Sequence, residues 1–315
     1  MRRFCICVLL LVTLVGCSTK MGYYFLDWVI EWKLEEYVTL NQQQQIEFES
    51  TLNEFLIWHR SEELPRYEQQ LSQLLILFDS QALTPALWAK QVDEAKAHWA
   101  RILVFVEPSL VVLISSFSDN QVQQVIAQLR VDEKRLNQKY LGKDHHALVE
   151  MADKRIEKRV KRWIGKLSKQ QIKAIHEYNL SRASTLDMWL EYRHEWIRLF
   201  EQALKNRRNQ SALSHSLKVL MLEPDRIKSD IYKASVDSNT EKFGELLIRL
   251  NGLATSQQKR RFKNKLQGLI TDLIELSDQS VNAPHNNKSE QLKSVMKDSL
   301  SNEGLYRQVL LNKGL

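Results

Sequence analysis

His59 and Glu63 stand four residues apart in the segment Trp58-His59-Arg60-Ser61-Glu62-Glu63-Leu64-Pro65-Arg66-Tyr67. That spacing places an imidazole and a carboxylate on one helix face. Arg60 lies close to the acids, and Pro65 is expected to force a turn between two helices. Two readings are open. Trp58 and Tyr67 could wall a ligand groove with His59, Arg60 and Glu63 as its charged rim, or the segment could be a helix-hairpin corner locked by an Arg–Glu network. Metal chemistry finds less support. Glu191-Tyr192-Arg193-His194 is one Glu-x-x-His step, half of a di-iron bundle site, and no second step accompanies it. His145 and His146 are sequence neighbours and so point to different faces. The chain has no H-E-x-x-H, no G-x-S-x-G and no phosphate-cradling glycine loop. We expect no metal, no cofactor and no enzymatic activity.

A second constellation is electrostatic. Lys154, Arg155, Lys158, Arg159, Lys161 and Arg162 lie opposite a stripe of Ala152, Ile156, Val160, Trp163 and Ile164. Lys166, Lys169 and Lys173 prolong the charge, and Lys259, Arg260, Arg261, Lys263 and Lys265 form another cluster. Such a stripe can be a solvated face supported by i,i+4 pairs. It can also be a docking face, centred on Arg155, Lys158, Arg159 and Arg162, for anionic lipid headgroups or an acidic polymer.

These groups need a scaffold, and composition indicates which. With only 9 Gly and 5 Pro in 315 residues, and Gln, Leu, Lys, Glu and Ala plentiful, the chain is expected to be all-α, a multi-helix bundle without a sheet. The longest uninterrupted pattern, Gln170 to about Leu204, predicts one central helix of roughly 50 Å at ~1.5 Å per residue. A helix from Leu87 is expected to break or kink near Pro108, and the apolar run Leu110–Ile114 is too short to span a membrane. Further helices are expected over Val122–Tyr140, Ala147–Ile164, Leu213–Leu222, Arg226–Val236, Glu241–Leu250 and Gln257–Leu276, with a loop over Ser277–Ser289. Gly142 and Gly165 read as helix stops.

Helix starts share one grammar. Leu40-Asn41-Gln42-Gln43-Gln44, Phe117-Ser118-Asp119-Asn120-Gln121 and Leu167-Ser168-Lys169-Gln170-Gln171 each read apolar, cap, two polar residues, Gln; Ala254–Gln258 is a looser fourth, and Thr84-Pro85 is a fifth start. In a capping box the short side chain accepts from the third amide and the Gln reaches back. The grammar also resembles the L-T-x-x-Q motif of the Spy and CpxP family of periplasmic helical chaperones, over five residues at each site and with Asn or Ser in place of Thr. That resemblance implies a chaperone-like role.

The N-terminus supplies an address. Arg2 and Arg3, the 12-residue apolar run Phe4–Val15, and Leu14-Val15-Gly16-Cys17 resemble a bacterial lipoprotein signal peptide with its lipobox. The run is too short to cross a hydrocarbon layer of ~30 Å, so a removed signal peptide is preferred over a single-pass helix. The resemblance implies cleavage before Cys17, acylation of Cys17 (palmitate among the usual chains) and, with Ser18 following, export to the outer membrane facing the periplasm. Loss of the first 16 of 315 residues leaves 299, and removes Arg2 and Arg3 from a formal charge of +7, leaving +5. That excess suits an anionic surface and is too weak to argue nucleic acid. Cys5 and Cys7 would leave with the signal peptide, so neither a thiol nucleophile nor a disulfide is expected.

Residues 17–24 are expected to be the lipidated cysteine and a tether of under ~20 Å, 25–208 a main helical domain, and 209–315 a C-terminal helical subdomain packed on it with a weakly amphipathic tail. Phe25, Trp28, Val29 and Trp32 at helical spacing either lie in the lipid interface or pack into the core. Lipobox, aromatic first helix, Leu40–Gln44 and the Trp58–Tyr67 segment together resemble an uncharacterised family of proteobacterial lipoproteins, most closely over residues 14–75. The resemblance carries no activity. The expected function is therefore a lipid-anchored, protein-binding or scaffolding module with an envelope-protein partner. The alternative is an envelope-lipid or cell-wall module binding anionic surfaces through the basic helix.

Overall fold

The computed structural model describes residues 19–282, and Cys17, the rest of the lipobox and the tail from residue 283 lie outside them. Among the described residues every regular element is helical. In chain order they are α1 (Thr19–Tyr24), α2 (Leu26–Glu35), α3 (Gln42–Trp58), a π-helical segment (His59–Glu63), α4 (Leu64–Asp79), α5 (Pro85–Ser115), α6 (Asp119–Tyr140), α7 (His145–Ile164), α8 (Lys169–Ser181), α9 (Leu186–Lys205), α10 (Gln210–Leu222), a 3-10 turn (Pro224–Arg226), α11 (Asp230–Gly252) and α12 (Ser256–Asn282). The all-α multi-helix expectation holds.

The helix starts are where the local grammar places them. Asn41 with Gln44, Ser118 with Gln121 and Ser168 with Gln171 form closed capping boxes. Thr255 and Gln258 exchange the same two bonds, at 3.0 and 3.2 Å. Thr84 caps α5, which opens on Pro85. Gly142 and Gly165 stop α6 and α7 with φ of +76° and +88°, a left-handed conformation that glycine adopts without a Cβ penalty.

The capping glutamines also join helices distant in sequence. The amides of Gln44 and Gln121 bond each other in both directions, at 2.6 and 3.3 Å, and Gln171 and Gln258 repeat the clasp at 3.1 Å each way. All four are buried. Each clasp satisfies side-chain groups that burial would otherwise leave costly.

Several elements differ from expectation. The central rod is α5, 31 residues and about 46 Å; it packs against α3, α4, α10 and α11. It continues unbroken as a helix through Pro108. Pro108 and Val104 are both exposed, so the Val104 carbonyl that loses its helical donor faces solvent. By length and composition α5 could cross a membrane. Its buried His98 and Glu107 and its packing on four helices make it the core of the bundle.

The helix expected over Gln170–Leu204 is two, α8 and α9, parted at residues 182–185. Asn239 of α11 holds the break, accepting from the Ala183 N–H and donating to the Ala183 carbonyl, both at 2.9 Å. The two helices expected over Arg226–Val236 and Glu241–Leu250 are one. No Gly or Pro interrupts residues 237–240, and Thr240 bonds back to the Val236 carbonyl at 2.9 Å. Residues 277–282, expected as loop, continue α12.

Three apolar clusters fill the interior. One joins α5, α6, α9 and α10; one joins α1, α4 and α12, with Trp163 of α7 against it; the third joins α8 and α11, with the apolar stripe of α7 against it. Helix α12 thus packs on α1, α4 and α7, bringing the end of the described chain onto its beginning. The stretch expected as a tether is helical from Thr19, and its Tyr23 is buried.

Candidate functional site

Pro65 makes no corner. Helix α3 passes into α4 through five residues of π-helix, in which the Leu64 N–H reaches back five residues to the His59 carbonyl. Pro65 is the second residue of α4, directly after the π turn, where the helical hydrogen-bond ladder already changes register. Single-turn π segments are frequent at functional sites, and this one turns His59 and Glu63 into the interior.

There they enter a buried polar joint. Glu63 is 0% exposed. Arg101 of α5 donates to both of its oxygens, at 2.6 and 3.2 Å, and Arg66 lies 3.6 Å away. His98 sits beside the carboxylate, 3.1 Å from it, with its other ring nitrogen 3.0 Å from the Gln70 Oε1. Gln70 gives its own amide hydrogen to the Gln91 carbonyl at 2.7 Å, so His98 Nε2 is the donor in that contact, while Nδ1 faces both the Glu63 carboxylate and the Arg101 guanidinium. Burial lowers the pKa of His98, the hydrogen bond with Glu63 opposes that shift, and Arg101 lowers it further. On the other side of the π turn, His59 bridges the Tyr23 and Tyr67 hydroxyls at 2.9 and 3.2 Å. A neutral imidazole has one donor and one acceptor, so one tyrosine gives a proton and the other receives one. Burial pushes His59 down to about 4 and Tyr23 up to about 12. Arg60 lies over the Tyr23 ring, 5.4 Å from its centre, rather than against Glu63.

Of the sequence-chosen residues, the structure joins His59, Glu63, Tyr67 and Arg60, while Trp58 stacks outside on Phe105 at 4.4 Å. The segment is a locked joint within a continuous helical path. The joint also holds Tyr23, His98, Arg101 and Gln70, which no local motif marks. The available signal was two polar residues, His98 and Arg101, one turn apart just before the apolar stretch 102–106.

The groove lies beside it. An apolar cleft of about 410 Å³ opens between α2, α3 and α5, walled by Ile30, Phe48, Leu52, Phe55, Val106, Leu110, Val112 and Leu113, with Glu47, Ser50, Thr51 and Ser109 as its polar lining. Val104, Pro108 and Val112 extend an exposed stripe along α5 at four-residue spacing. Helix α2 has no fully buried residue, and Trp28 stacks on Trp32 with ring centres 6.5 Å apart. The aromatic first helix therefore neither enters the core fully nor leaves it.

The basic constellation is real but uneven. Lys154, Lys158 and Lys161 are exposed; Arg155, Arg159 and Arg162 are half-buried. Lys154 pairs with Glu150 at 2.5 Å and Lys161 with Glu157 at 2.9 Å. Burial, and then the nearby Arg182, lower the pKa of Arg155. Lys154, Lys158, Lys161, Arg162 and Glu157 line a shallow depression of about 430 Å³. As for metals, His194 meets Glu133 at 3.1 Å, His145 and His146 are exposed, and no group of three or more possible ligands occurs among the described residues.

Residues 36–233 match the model of a family of unknown function (DUF6279). No curated protein and no solved structure matches the chain.

Proposed function

We propose, of a chain that belongs to the DUF6279 family, that it is a lipid-anchored envelope protein which works without catalysis, by holding apolar segments of partner or unfolded proteins. The observation that carries this reading is the apolar cleft between α2, α3 and α5, about 410 Å³ in volume and continuous with exposed apolar side chains. A cleft of that size, mostly apolar with a few polar groups, has the usual make-up of a binding site. The buried joint beside it offers little to a substrate, because its carboxylate is held by Arg101 and His98 and His59 by the Tyr23 and Tyr67 hydroxyls.

The location rests on the residues before Cys17, which have the order of a lipoprotein signal, with Ser18 favouring the outer membrane. The fold supports a close mooring. The Thr19 N–H donates to Asp272 at 3.0 Å, and Lys20 pairs with Asp272 and Glu275 of α12. Only Ser18 separates Cys17 from this docked helix, so an acylated Cys17 would lie within ~7 Å of the folded body at ~3.5 Å per residue.

The test of the binding role is aggregation of an unfolded client, followed by light scattering, with the chain from Ser18 onward. Wild type is expected to suppress aggregation, and Val112→Asp with Ser109→Asp, both on the cleft wall, to lose the effect while keeping its helical circular dichroism. Absence of suppression by wild type, or equal suppression by the variant, overturns the reading.

A further inference from the structure

The two basic clusters, a hundred residues apart in sequence, form one surface. Lys265 of α12 donates to the Arg162 carbonyl at the end of α7, and the Arg261 side chain lies over Gly165, the residue that stops α7. Residues 154–166 carry seven Lys or Arg against one acid, Glu157, and residues 256–265 carry five against none. Two of these cations meet acids from outside the two stretches. Asp79 meets Lys263, and Glu150 meets Lys154. Like charges are instead pressed together: burial and then Arg261 lower the pKa of Lys265, as burial and then Arg182 lower that of Arg155. A fold selected only for stability would dilute such crowding with carboxylates.

The place of this surface is informative. Arg261, Lys265 and Asp272 fall at helical spacing on one stripe of α12, and Asp272 receives the Thr19 N–H. The rise of α12 puts Lys265 about 10 Å and Arg261 about 16 Å from that point. Both lie within reach of the bilayer that a lipid on Cys17 would enter.

We propose that the joined face of α7 and the start of α12 docks on anionic phospholipid headgroups of the membrane that holds the anchor, and so fixes the orientation of the body on it. Acyl chains hold a protein to a bilayer without setting which face looks down. A polybasic surface adds that second signal. The proposal rests on the envelope reading above, but its chemistry is independent of Cys17.

The experiment is sedimentation of the chain from Ser18 onward, which retains every described residue, with vesicles of phosphatidylcholine alone or with one third phosphatidylglycerol. Binding to the anionic vesicles only, weakening as salt rises, is expected. Lys154→Gln, Lys158→Gln and Arg261→Gln together should lower partitioning about a hundredfold, at roughly fivefold for each basic residue near the surface. Circular dichroism confirms that the exposed substitutions leave the fold intact. Equal binding by the variant, indifference of wild type to phosphatidylglycerol, or binding to a soluble acidic glycan in place of vesicles would each overturn the proposal. Failure here leaves the anchor untouched, because the anchor is read separately by the mass of the N-terminal peptide.

Discussion

Replacing Glu63 by Gln tests whether the buried joint holds the bundle together. The carboxylate is fully buried and takes two hydrogen bonds from Arg101, which is itself 34% exposed. Breaking one partner of a buried ion pair costs about 3–5 kcal/mol, and the partial exposure of Arg101 lets water share its charge, which favours the lower end, about 3 kcal/mol. At roughly 2–4 °C per kcal/mol for a chain of this size class, the melting temperature should fall by about 6–12 °C, read by circular dichroism at the helical band. Glu62→Gln is the control. That side chain is half exposed and meets the exposed Arg66 at 3.5 Å, and should cost under about 0.5 kcal/mol. Glu63→Met with Arg101→Met removes both charges and should recover more than half of the loss, because apolar groups of like volume replace a buried pair at little cost. A loss below about 1 kcal/mol in Glu63→Gln, or equal losses in the two single variants, refutes the reasoning.

Acid should weaken the fold through the same joint. His59 titrates near 4 when folded against an ordinary 6.5, so between those values the unfolded chain binds more protons; the stability is complete above about 6.5 and is lost as pH falls toward 4, by about 3 kcal/mol at 1.36 kcal/mol per unit. Urea midpoints from pH 7 to 4.5 check this, and a profile as steep in His59→Gln as in wild type would sink it. Gln44→Ala and Gln121→Ala, each removing half of a clasp, should each cost about 1–3 kcal/mol. In a double-mutant cycle they should be less than additive, and strict additivity would mean that the clasp does not couple the helices. Gly244→Ala sets a Cβ 3.0 Å from the Trp88 side chain, an overpacking cost of about 1–3 kcal/mol, against a helix-propensity gain of about 0.5–1 kcal/mol, so a net loss of about 1–2 kcal/mol is expected; a raised melting temperature would show that α5 and α11 are not packed that closely.

The sequence rules that succeeded are local ones. Asn41, Ser118, Ser168 and Thr255 cap because the Gln three residues on is part of the same turn, and Gly142 and Gly165 stop helices by their own backbone freedom. The failures are long-range. Pro108 reads as a break until the exposure of Val104 is known, and the parting of α8 from α9 depends on Asn239, more than fifty residues later. Glu63 was legible as half of an ion pair, yet its partners His98 and Arg101 lie 35 and 38 residues on. The capping glutamines were visible as caps, but nothing in a five-residue pattern tells that two caps will clasp each other.

The central claim is a body moored at Cys17 against its membrane. Mass spectrometry of the protein extracted from cell membranes reads it directly. Trypsin should release Cys17-Ser18-Thr19-Lys20 as the N-terminal peptide, heavier by a diacylglycerol and an amide-linked acyl chain, and Cys17→Ala should abolish it and release the chain from the membrane fraction. An unmodified Cys17, or a peptide still joined to Gly16, would contradict the account.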